Sequence, residues 1–158
     1  MKVVRIKGTG TNTLSLVTET KKEMEKAKKW YFEEHGIRLK DREICVWCVF
    51  DKDDFPDDRF DNAITRAKAR DFHVAYSNEA FELWYLLHFS YISSALSRSQ
   101  YGELLTHHLG KPYAKNDPCM YQVLRQYLAI AIRNAKALLA CYNPHVPHKD
   151  NPCTTVLN

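Results

Sequence analysis

No stretch of this 158-residue sequence approaches the ~20 consecutive apolar residues of a membrane span, so no membrane association is expected. A secretory segment is missing too, and the five cysteines, Cys45, Cys48, Cys119, Cys141 and Cys153, form an odd set. Free thiols in a reducing compartment fit both facts, and the expected location is the cytoplasm. The full Walker and dinucleotide-binding glycine patterns are absent, as are internal repeats and low-complexity tracts. Gly8-Thr9-Gly10 is therefore better explained as a turn ahead of a helix than as a phosphate cradle. A strong charge of one sign is lacking as well: 23 Lys and Arg against 19 acidic residues give +4. That balance permits a phosphate-bearing partner without requiring one, and the positives gather at residues 21–29 and 111–115.

What is present describes one folded domain, since 45% hydrophobic residues over this length supply a core without disulfides or a structural metal. Residues 2–7 read as a short strand. Leu14, Val17, Met24, Ala27, Trp30 and Tyr31 recur at helical spacing, with His35-Gly36 as the stop. Residues 44–50 are apolar without alternation, as in a central strand covered by helices on both faces. Cys45 and Cys48 lie inside that strand on opposite faces, which argues against a redox pair. Phe60, Ala63, Ile64 and Ala67 mark a second helix, and residues 72–76 a second buried strand. Ser77-Asn78 then caps a helix through residues 81–89. A short helix at 101–109 follows, then a long one from Asp117-Pro118 that turns Tyr121, Leu124, Leu128, Ala131, Ile132, Ala135 and Leu138 inward. Thr154-Thr155 has the look of a helix cap. The expected fold class is α/β: a core over residues 1–90 with a mostly parallel sheet flanked by helices, and a helical extension over 91–158 packed on the same core.

The chemistry gathers at Asp51-Lys52-Asp53-Asp54, directly after the most hydrophobic strand. Ligands of open α/β sheets collect beyond the carboxyl ends of strands. If strand geometry persists, Asp51 and Asp53 project to one side as two hard oxygen donors suited to Mg2+ or Mn2+, and Asp54 points elsewhere. An acidic turn that also caps the next helix is the plainer alternative. Glu82 is a lone charge among Phe81, Leu83, Trp84, Leu86 and Leu87, and burying it unpaired would be costly. It either faces the crevice from the neighbouring strand end, or sits at the favourable helix dipole with an arginine partner. Lys111, Tyr113 and Lys115, with Arg125 and Arg133 beyond, could track a nucleic-acid backbone with the aromatic stacking on a base; a solvated helix face explains that stripe about as well. His145, His148 and nearby cysteines match zinc-ligand spacing only loosely.

The run Val46-Trp47-Cys48-Val49-Phe50-Asp51-Lys52-Asp53-Asp54-Phe55-Pro56, together with Ala75-Tyr76-Ser77-Asn78-Glu79-Ala80-Phe81-Glu82-Leu83-Trp84-Tyr85-Leu86-Leu87-His88-Phe89, resembles the RloB family of bacterial phage-defence proteins, including its AbiLii abortive-infection type. Residues 8–17, Tyr113-Ala114-Lys115-Asn116-Asp117-Pro118 and Asn151-Pro152-Cys153-Thr154-Thr155-Val156 extend the likeness over nearly the whole chain. The resemblance implies a divergent Toprim-like (Rossmann-like) fold and a magnesium-dependent nuclease acting on RNA, tRNA included, or on DNA. It implies that Asp51 and Asp53 form the Asp-x-Asp, that Asp54, Ser77, Asn78 and Glu82 surround it, and that an ATPase encoded nearby is the partner. A homo-oligomer is a further expectation. In that family a first strand ends in a glutamate-bearing turn, whereas here the first strand ends in Lys7-Gly8. Asp51 and Asp53 are accordingly expected to be one half of a metal site, with a non-catalytic binding or adaptor module as the alternative.

Overall fold

The structure, a computed structural model, describes residues 13–157. The expected strand at residues 2–7 and the Gly8-Thr9-Gly10 turn lie outside the described residues. The chain forms a mixed α/β fold of helices and a small three-stranded sheet of order β1-β2-β3, and it divides into two compact units.

One unit comprises residues up to Cys48 and the segment Phe55–Val74. Helix α1, Thr13–His35, buries Val17, Thr20 and Met24 one below another, while its lysines and glutamates face water. It stops at Gly36, whose φ of 69° is left-handed and whose N–H reaches Phe32 O at 2.8 Å. Helix α2, Asp57–Lys68, buries Phe60, Ala63, Ile64 and Ala67 as their spacing demands. Asp57 and Asp58 in its first turn and Arg66 and Lys68 in its last complement the helix dipole. Strand β1, Trp47–Asp51, departs from the reading as a doubly covered strand. Cys48 is buried, but Trp47 and Val49 on the opposite face are 40% and 49% exposed. The apolar run masks a true alternation, and the Trp47 ring finds cover by stacking on His73 at 4.7 Å between centroids.

The other unit comprises Val49–Asp54 and the chain from Ala75 onward. Strand β2, His73–Asn78, continues to Asn78, so Ser77 and Asn78 are strand residues and not the helix cap expected of them. Their backbone is committed to pairing: Ser77 opposes Thr154 and Asn78 opposes Cys153 of β3, Cys153–Thr154, in antiparallel register. The same pairing corrects Thr154-Thr155 from helix cap to strand end, with Ser77 Oγ and Thr154 Oγ1 2.9 Å apart in the interior. Between β1 and β2 the bonds Val46 O to His73 N and Ser77 O to Lys52 N advance in one direction, which makes that pair parallel.

The expected helix over 81–89 shrinks to α3, Glu82–Leu86. Helix α4, Arg98–Leu109, starts at a capping box in which Ser97 and Gln100 bond reciprocally, and ends at left-handed Gly110. The single long helix expected after Asp117 is two helices, α5, Met120–Leu124, and α6, Leu128–Ala140, joined by a 3-10 turn at Arg125–Tyr127. The tighter turn shifts the helical phase. Leu124, Ala131, Ala135 and Leu138 stay inward, but Tyr121 and Leu128 turn outward, 70% and 40% exposed. Ala131, Ala135 and Leu138 share a core with Ala80, with Leu83, Leu86 and Leu87 of and just after α3, and with Tyr101 and Leu105 of α4. No helix among the described residues is long and apolar enough to cross a membrane.

Candidate functional site

The acidic loop is pinned to the end of β2 by two backbone bonds, Lys52 N to Ser77 O at 2.8 Å and Asp53 N to Glu79 O at 3.1 Å. Asp51 is the last residue of β1 and so lies at a carboxyl end in the sheet, where ligands of this fold class gather. Strand geometry does not persist past it. Asp53 has φ 47°, a left-handed conformation that aspartate tolerates better than most residues, and the chain turns there. The alternation argument that put Asp51 and Asp53 on one side through an extended strand therefore fails at its premise. Asp54 is exposed.

Asp51 has the most unusual electrostatics of the loop. Burial, and after it the negative charge of Glu82, push its carboxyl up to about 6, against the pull of Lys115 and Arg98, with Asp53 adding a smaller push. Glu82, half-buried in the first turn of α3, accepts a 2.9 Å hydrogen bond from the Tyr113 hydroxyl. Its partner is thus a tyrosine 31 residues away and not the arginine that the dipole reading supplied. Burial and that bond hold the Tyr113 phenol well above its usual range. Tyr113 is consequently a partly buried support for an acid, with its ring 6.5 Å from that of Tyr85.

Asp53 is claimed by Arg98, whose Nη2 lies 2.5 Å from its Oδ2. Partial burial works against the Arg98 charge, but the bond to Asp53 and the charges of Asp53, Asp51 and Asp54 outweigh it and raise its pKa. One turn along α4, Tyr101 is fully buried, and its hydroxyl is a buried polar atom with no hydrogen-bond partner. Burial, Glu79 and Glu82 keep that phenol protonated. Arg98 and Tyr101 escaped the sequence reading, although Ser97-x-x-Gln100 announces a helix start there. A cation in a first turn opposes the dipole, and that is a cue to look for acids nearby.

Ser77 and Asn78 support the site from beneath. Ser77 bonds Thr154, and Asn78 Nδ2 donates to Pro147 O and His148 O at 3.4 and 3.3 Å. That same loop is fastened by His145, which pairs with Asp150 through Nδ1 and meets the Tyr76 hydroxyl through Nε2 at 2.5 Å. Lys111 pairs with Asp117 at 3.0 Å, and Lys115 is exposed, its charge felt by Asp51. Arg125 lies in the 3-10 turn and Arg133 on α6, both exposed.

Among the described residues no three acidic, histidine or cysteine side chains converge tightly enough to hold a metal unaided. The donor chemistry of Asp51 and Glu82 nonetheless fits magnesium, which takes hard oxygens, keeps several of its waters and needs only one or two carboxylates. Asp51, raised by burial first and by the charge of Glu82 second, forms with Glu82 a pair that a cation would relieve. Comparison with known proteins gives one match: the family described as RloB, RloB-like protein, over residues 1–158. No curated protein and no solved structure matches the chain.

Proposed function

We propose that this chain, which belongs to the RloB-like family, is a magnesium- or manganese-dependent nuclease of a bacterial anti-phage system, with Asp51 and Glu82 as its cation-holding acids on a Toprim-like arrangement. The observation that carries the reading is Asp51: a half-buried carboxyl at a strand's carboxyl end, drawn toward protonation by burial and by a neighbouring acid. A divalent ion bound there would neutralise phosphate charge and make a water more acidic. The chain's own residues supply the rest. Tyr113 fixes the Glu82 carboxylate, and Lys115 with Lys111 attracts a polyanionic strand. The defence role, the preference for RNA over DNA and the partner ATPase rest on the resemblance of the chain to phage-defence proteins.

The test is incubation of the purified protein with tRNA, single-stranded RNA and plasmid in magnesium or manganese. Cleavage that disappears in Asp51→Asn and Glu82→Gln supports the nuclease; intact substrates under every condition sink it. The second reading, a non-catalytic adaptor for the ATPase or a nucleic acid, is favoured by the Asp53–Arg98 pair, which occupies an acid the metal site would use. Calorimetry without magnesium binding, together with stable co-purification of an ATPase, would select it.

A further inference from the structure

Arg98 is placed at a disadvantage. As the first residue of α4 it sets a positive charge against the positive end of a helix, which is unfavourable. Its compensation is the acidic loop, reached through one contact to Asp53 Oδ2. A guanidinium has five donors in a planar fork that suits phosphate bidentately, so a single carboxylate oxygen leaves most of that capacity open. The Arg98 side chain is 48% exposed, so an incoming strand can reach it.

Asp53 differs in mobility. Its backbone N–H is tied to Glu79 O and its φ of 47° lies in the left-handed region, so its backbone stays with the acidic loop, and only its carboxylate can turn, if the arginine moves. Separating the two would leave Asp53 uncompensated beside Asp51 and Glu82, the two acids read above as cation ligands. A second feature points to an occupant at this place. The Tyr101 hydroxyl, on the same face of α4 as Arg98, is fully buried, lacks a partner, and has Glu79 and Glu82 as its neighbouring charges. Buried hydroxyls of native proteins are satisfied by protein, water or ligand, so an oxygen belongs beside it.

We propose that Arg98 is a phosphate-operated latch: in the free protein it neutralises Asp53, and a phosphodiester takes over its guanidinium, releasing Asp53 to join Asp51 and Glu82 around a divalent cation. The latch rests on the nuclease reading of those acids. Its effect is ordered assembly: the third carboxylate becomes available only when a phosphate is present. Metal and nucleic acid then bind cooperatively, because each removes an obstacle to the other.

The experiment measures binding, not cleavage. Manganese alone is titrated calorimetrically, and a hydrolysis-resistant 2′-O-methyl oligoribonucleotide is followed by fluorescence anisotropy without metal. Arg98→Ala is expected to tighten manganese binding about tenfold, since a repelling charge leaves and Asp53 is freed, and to weaken oligonucleotide binding about tenfold, with the salt slope falling by about one. Opposite signs are the signature of a latch. Arg98→Lys keeps charge without the fork and should recover only part of the oligonucleotide affinity. Arg98→Gln, which keeps the aliphatic stem, serves if the alanine variant fails to fold. Loss of both affinities, or change in neither, overturns the latch. Wild-type protein that binds no manganese overturns the acid-pair reading itself, an outcome distinct from manganese binding that ignores Arg98.

Discussion

Replacing Asp51 by asparagine should make the metal-free protein more stable, and only above a defined pH. The substitution keeps shape and removes charge. In the folded chain the carboxyl is raised from its ordinary 3.8 to about 6, by burial first and by Glu82 second. A carboxyl whose pKa is raised by folding gives stability that is fully present below its unfolded value and lost as pH climbs through the folded value. Wild-type protein should therefore weaken between about pH 4 and about pH 7 by an amount the asparagine variant does not share. At ~1.36 kcal/mol for each tenfold step, the gap is worth on the order of 3 kcal/mol, and partial solvent access together with residual order in the unfolded chain reduces this to about 1–2 kcal/mol. Urea unfolding of both proteins near pH 8 and near pH 4 measures it, because titrating groups that do not interact with Asp51 cancel in the difference. The variant should lead by about 1–2 kcal/mol at the higher pH and by under about 0.5 at the lower. Magnesium should close the gap at high pH by binding the folded wild type alone. A variant that is less stable near pH 8, or a difference that does not change with pH, would refute the electrostatic account of this residue.

Tyr113→Phe deprives Glu82 of its hydrogen bond, which should cost about 1–2 kcal/mol in thermal or urea unfolding and lower cation affinity measured by calorimetry. Tyr101→Phe removes a hydroxyl that bonds nothing in the chain, so stability should hold or rise by up to about 1 kcal/mol; a loss above that would reveal a bound water. Asn134→Ala orphans the Leu87 carbonyl that its amide caps at 2.9 Å, and should cost about 1–3 kcal/mol in the melting curve. Asp150→Asn removes the carboxylate that meets His145 Nδ1 and the Val146 N–H, so limited proteolysis within residues 143–152 should accelerate while far-UV dichroism is kept.

Elements whose causes are local were legible in the sequence. The α1 and α2 periodicities, Gly36 as a stop and residues 72–76 as a strand all follow from spacing and turn chemistry within a few residues. What escaped depends on partners far along the chain. Strand β3 exists because Thr154 and Cys153 meet Ser77 and Asn78, and nothing within residues 143–157 announces that pairing. The break at Arg125–Tyr127 shifts the phase of an apolar stripe that reads as continuous, and so Tyr121 and Leu128, inward by spacing, are exposed. At the site, the position of Asp51 at a strand's end is readable in the sequence, whereas the left-handed turn at Asp53, which breaks the alternation expected from Asp51 to Asp53, is not. The pairing of Arg98 with Asp53 and of Tyr113 with Glu82, which decides how those acids behave, is invisible without the fold.

Two acids of this region, Asp51 and Asp117, show why Asp51 stands apart. Asp117 has the environment that structure alone provides: the Cys119 N–H and the Lys111 ammonium favour its charge and hold its carboxyl below the usual range. Asp51 lies within reach of two cations, Lys115 and Arg98, and is nevertheless shifted the other way. The difference is burial and company. Asp117 is met by donors, whereas Asp51 shares its surroundings with Glu82 and Asp53, and one of its two cations, Arg98, is bonded to Asp53. A chain selected only for stability would replace Asp51 with an uncharged residue, since its ionisation weakens the fold. Groups held against their preferred charge state concentrate where binding or catalysis uses the imbalance. The acid that weakens the metal-free protein is therefore the acid on which a cation acts most strongly, and the Asp51→Asn stability gap near neutral pH measures how much of that interaction the site has in reserve.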